Sequence, residues 1–107
     1  MAIGLTRPFI ETVKARAAKD PKFRATMLAE ASECFLNGEV GVAKTLLRDY
    51  VNATIGFQAL AEAVDKKPQS LMRMLSKSGN PRADNLAELI ASLQRHEGIE
   101  LRVRARR

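Results

Sequence analysis

Along most of the chain, apolar side chains recur at intervals of three and four residues, the spacing that gathers them on one face of a helix. Phe9, Val13 and Ala17 form the first such stripe, and Pro8 suits the opening of a helix there. Asp20 before Pro21 supplies a cap followed by proline at the first helical position. Phe23, Met27, Leu28, Ala31 and Phe35 then predict a second helix over 21–37, stopped by Asn37-Gly38. From Glu39 to Ala53, Val40, Ala43, Leu46, Leu47, Tyr50 and Val51 share a face, with Lys44, Arg48 and Asp49 read as lying off it.

After a break at Gly56 the apolar patterns shorten. Phe57, Leu60, Ala61 and Val64 predict one helix of about two turns, and Leu71, Met74 and Leu75, after Pro68, a second; helices this short hold only when packed together. Residues 76–81 read as a loop. Helical spacing resumes from Ala83 to Arg95 through Leu86, Leu89, Ile90 and Leu93, with Asp84 in the first turn, Arg95 and His96 in the last, and Gly98 as the stop. Beyond it the period changes to two. Ile99, Leu101 and Val103 alternate with Glu100, Arg102 and Arg104, which predicts either a short strand pairing with another chain or a basic tail.

The fold class expected is therefore all-α: a helical bundle with a short C-terminal β-strand as its one candidate exception. Residues 1–38 read as an N-terminal helical extension, 39–97 as the central domain and 98–107 as a basic strand or tail. At 107 residues the chain has room for one core without disulfides. Hydrophobic residues make up 46% and charged ones 28%, a balance that argues against disorder or a fibre. No leader and no apolar run long enough to span a bilayer is visible, so the expected location is cytoplasmic, away from membranes. The single cysteine, Cys34, falls in an Ala/Phe/Leu-rich helical pattern and reads as an inert core thiol.

Charge divides unevenly. Residues 1–65 carry eight Lys/Arg against eight Asp/Glu, whereas residues 66–107 carry ten against four, so the whole net charge of +6 resides in the C-terminal part. Attraction for polyanions is concentrated there. The segment from Gly56 to Leu75 has two short helices joined by about four residues, the layout of a helix-turn-helix spanning roughly 57–76. Ala61 is small where the helices must approach, Asp65 tolerates a left-handed turn, and Pro68 presets the next helix. With Leu71 and Leu75 inward, Gln69, Ser70 and Arg73 face outward as candidate base readers, since Gln suits adenine and Arg suits guanine in the major groove. Gln58, Lys66, Lys67 and Lys77 are the candidate phosphate contacts.

Leu46 to Ala53, Phe57, Leu60-Ala61, Pro68 to Ser76, Gly79-Asn80-Pro81 and Asn85-Leu86 together resemble the lambda-repressor-like (Xre) helix-turn-helix family over about residues 40–97. Within it they look most similar to the HigA-like addiction-module antidote proteins. The resemblance implies a lambda-repressor-like bundle and a DNA-binding transcriptional regulator. It further implies the antitoxin and autorepressor of a toxin-antitoxin operon, which binds double-stranded operator DNA as a homodimer and neutralises a RelE-like toxin. Two positions depart from the family pattern: Asp65 stands where glycine is common in the turn, and Phe57 where glutamine commonly opens the first helix, with Gln58 beside it as a substitute.

Other classes fit less well. One histidine, one cysteine and no glycine-rich phosphate loop leave no metal-ligand set, nucleophile-base pair or cofactor motif, so neither enzymatic activity nor a metal or cofactor is expected. The arginine-rich tail would attract RNA as well as DNA, but the aromatics interleaved for stacking single-stranded bases are missing. A protein-interaction module that covers a RelE-like toxin, with DNA binding secondary or absent, is the alternative. Its surfaces would be the N-terminal helices or the partner strand of Ile99, Leu101 and Val103.

Overall fold

A computed structural model describes residues 7–107, with side chains from residue 11 onward. The reading of residues 1–6 as leaderless lies outside the described residues, and the place of Phe9 in the first stripe outside the described side chains. Six helices follow in order: α1 (Arg7–Lys19), α2 (Pro21–Leu36), α3 (Val40–Ala53), α4 (Phe57–Ala63), α5 (Pro68–Met74) and α6 (Ala83–Glu97). The architecture is all-α, and none of these helices is long and apolar enough to cross a membrane.

Local chemistry sets the boundaries. Asp20, in an extended conformation, accepts a bond from the Phe23 amide at 3.1 Å, and Pro21 occupies the first position of α2, where no amide is needed. At the end of α4, Asp65 takes a left-handed conformation (φ 53°), and the Lys66 amide donates back to the Ala61 carbonyl at 2.9 Å. Gly98 (φ 74°) ends α6 in the same way, with the Ile99 amide reaching the Gln94 carbonyl at 3.1 Å. Both are Schellman closures, which satisfy carbonyls that a helix end otherwise leaves free. Asp serves in the tight turn because a short polar side chain tolerates this region better than a branched one.

The core draws on all the helices from α2 to α6. Leu28 and Ala31 of α2, Leu47, Tyr50 and Val51 of α3, Phe57, Leu60 and Ala61 of α4, Leu71 of α5, and Leu89 and Leu93 of α6 form one buried cluster with Val64 and Leu75. The α2–α3 pair is the most extensive in the fold, and α1 packs across both through Ala17. Residues 1–38 thus contribute side chains to the same core as 39–97.

A polar network ties four helices together near the end of α6. Tyr50 on α3 donates its hydroxyl to Glu97 Oε1 at 2.6 Å, and Arg24 on α2 donates Nε to Glu97 Oε2 at 2.8 Å. Arg24 also reaches the Ala17 carbonyl of α1 at 2.5 Å. The Glu97 side chain is only 5% exposed, and such a carboxylate is tolerable because both its oxygens have donors. No buried side-chain nitrogen or oxygen among the described residues lacks a partner.

Two expectations need correction, at Lys44 and Cys34, and a third is refined. In the single chain residues 99–107 adopt no regular secondary structure. The alternation at 99–101 has another cause: Ile99 and Leu101 turn back onto the chain's own core, and the Leu101 amide donates to the Gln94 side chain at 2.8 Å. Of the proposed partner strand only Val103 stands free, 83% exposed. Lys44, read as lying off the apolar face of α3, is buried. Cys34 is half-buried and not a core residue; burial raises its thiol pKa, and Glu39, Glu30 and Glu33 raise it further, which keeps it protonated near neutral pH.

Burial, then the bond to Glu97 and that residue's charge, push the Tyr50 hydroxyl pKa above its ordinary value of 10.0. The raised value means that the contribution of Tyr50 to stability is complete below pH 10 and is lost as pH climbs beyond it. Thermal unfolding followed from pH 8 to 11.5 is expected to show a steeper fall for the native chain than for Tyr50→Phe. The variant should be less stable at pH 8 by about 1.5–3 kcal/mol, because Glu97 loses a donor.

Candidate nucleic-acid interface

The C-terminal end of α5 is held from behind by α3. Lys44 is 6% exposed, and its Nζ donates to the carbonyls of Gly79 at 2.6 Å and Lys77 at 3.3 Å. One turn further along α3, Arg48 donates to the Leu75 carbonyl at 3.0 Å. Cations belong at this end of a helix, where carbonyls are unpaired and the dipole is negative. Gly79 closes the arrangement: a Cβ there would collide with the Arg73 carbonyl oxygen and lie 2.8 Å from that of Met74, so only glycine lets the loop approach.

With its inner face fixed through Leu71 and Leu75, α5 presents an outer face to an open groove. Lys66 and Lys67 from the α4–α5 turn, Ser70, Arg73 and Met74 from α5, Ser78, Gly79 and Asn80 from the following loop, and Asn85 from α6 line it. Three cations and four neutral polar side chains share the groove, and no acidic side chain lines it. Glu88 on α6 is the acidic neighbour, 4.0 Å from Lys66 in a half-exposed pair that contributes little. Arg73 and Lys67 are fully available to a polyanion, both being exposed and without an ion pair among the described residues.

Of the residues singled out from sequence, Ser70, Arg73, Lys66 and Lys67 come together here. Gln69 is exposed on α5, next to Arg73 on the helix surface but outside the groove lining. Lys77 is exposed in the loop, and Gln58 is exposed in the first turn of α4; neither lines the groove. Asn80, Asn85 and Ser78 were not anticipated. The dipeptide Asn80-Pro81 gives a turn signal in sequence, but nothing local says that the loop folds back beside α5. No protein family, curated protein or solved structure matches the chain.

The close approach at Gly79 yields a direct test. Gly79→Ala is expected to destabilise the fold by about 1–3 kcal/mol through overpacking, measured by urea unfolding. Ser78→Ala, one residue away and exposed, should leave stability unchanged.

Proposed function

We propose that the protein is a sequence-specific, non-enzymatic DNA-binding transcriptional regulator, with α4 and α5 as a helix-turn-helix and α5 as its recognition helix. The observation that carries this reading is the basic, acid-free groove alongside α5, where Lys66, Lys67, Ser70 and Arg73 meet Asn80 and Asn85. In such a surface lysines neutralise phosphates while Arg73, Ser70 and the neighbouring Gln69 meet base edges. The resemblance of the motif residues to the Xre family, and to HigA-like antidotes within it, extends the proposal to a cytoplasmic autorepressor that acts as a homodimer and serves as the antitoxin of a toxin-antitoxin operon. A two-fold dimer places its half-sites about 34–36 Å apart.

A second reading has its own support. Leu36, Val40 and Val42 are exposed around the α2–α3 corner, beside the exposed carboxylates of Glu33 and Glu39. An apolar surface with an acidic rim suits a basic protein such as a RelE-like toxin, and in this reading toxin neutralisation is the main work. The two roles use different faces and are compatible.

Affinity for DNA from upstream of the gene, compared with random DNA at two salt concentrations, separates them. A regulator is expected to prefer its operator at least a thousandfold at physiological salt; equal binding that salt abolishes would refute specific recognition. Arg73→Ala should cost about 1–3 kcal/mol on the operator and relax preference at one base pair. Lys77→Ala should weaken binding to operator and random DNA alike. Equal losses on both DNAs for Arg73→Ala would remove it as a base reader.

A further inference from the structure

Met72 is the one large apolar side chain of α5 turned to solvent, 47% exposed, while Leu71 and Leu75 on the same helix are fully buried. The other exposed large hydrophobics among the described residues are Leu36, Val40 and Val42 at the α2–α3 corner and Val103 in the tail. Met72 is thus the one exposed large hydrophobic of α5, on a helix whose Gln69, Ser70 and Arg73 are also exposed. It follows Gln69 by three residues, so Met72 adjoins Gln69 on the helix surface, while Arg73, four residues after Gln69, adjoins it on the other flank, the one that lines the groove.

That position matters for a helix whose outer face meets base edges. Gln and Arg can distinguish adenine and guanine by hydrogen bonding, but neither recognises the feature peculiar to thymine in the major groove, its C5-methyl group. An unbranched, polarisable thioether chain adapts its shape to such a group and gains from excluding water around it. We infer that Met72 is a specificity-determining residue that selects thymine through apolar contact with its C5-methyl group, at a base pair adjoining the one read by Gln69 or Arg73. The inference rests on the DNA-binding reading above and adds to it the identity of one base.

Replacing thymine by deoxyuridine removes that methyl and leaves the pairing edge intact. The native protein is first used to enrich a duplex from a random-sequence pool, and each thymine of the enriched duplex is then replaced singly. At one thymine per half-site, affinity is expected to fall about fourfold, the factor that corresponds to burying one methyl-sized group. Met72→Ala should bind the unmodified duplex more weakly and lose nothing further from the same replacement, whereas Met72→Leu should keep the sensitivity. Unfolding temperatures of both variants should match the native value, since the side chain lies outside the core. Native binding that is indifferent to deoxyuridine at every position would overturn the assignment of Met72 alone, as would an equal loss in Met72→Ala. Failure to enrich any sequence would overturn the DNA-binding reading itself, and the inference with it.

Discussion

The buried ammonium of Lys44 is the constraint on which the candidate interface depends. A helix of seven residues such as α5 does not hold its own conformation, so its position must be imposed by its neighbours. Hydrophobic contact through Leu71 and Leu75 fixes the inner face but leaves the helix free to tilt, because apolar attraction has little directionality. Lys44 and Arg48 supply the missing direction: one side of α3 donates to three carbonyls at and just beyond the end of α5. A cation without a carboxylate is costly to bury, and these carbonyls offset the cost only if the loop comes close. Gly79 permits that approach, and so Ser78, Asn80 and Asn85 come to stand beside Arg73.

Further along α3 the network of Tyr50, Glu97, Arg24 and the Ala17 carbonyl fixes α1 and α2 to α3 and α6. Lys44 and Tyr50 both belong to α3, which makes that helix the common anchor of the loop after α5 and of α1, α2 and α6. The groove beside α5 is basic and polar, while the α2–α3 corner is apolar with an acidic rim.

Much of the fold was legible in sequence because it is written in local signals. Asp20-Pro21, Asp65, Pro68 and Gly98 each act within one turn of chain, and each sits where its capping or turn chemistry predicts. The site was legible only in part. Ser70, Arg73, Lys66 and Lys67 are close in sequence and meet in the groove, whereas Asn80 and Asn85 join them through a loop closure that depends on Lys44, over thirty residues away. Lys44 itself was misread, because periodicity places a charged residue outside the core unless its partners are known. The link between Arg24 and Glu97 spans 73 positions and leaves no local trace. At Ile99 and Leu101 the alternation is a true signal of half-burial, which a partner strand or the chain's own core satisfies equally well. The segment is extended against the core, with the Gln94 side chain in the place of a partner strand.

The most direct test of the central claim is to map amide chemical shifts of the full chain while a duplex enriched by the protein is added at physiological salt. The groove predicts the largest changes at Lys66, Lys67, Ser70, Arg73, Asn80 and Asn85, with Glu30, Glu33 and Glu39 unmoved. Changes confined to the arginine-rich residues 102–107 would contradict it, for they would mean that charge in the tail, and not the surface of α5, holds the DNA.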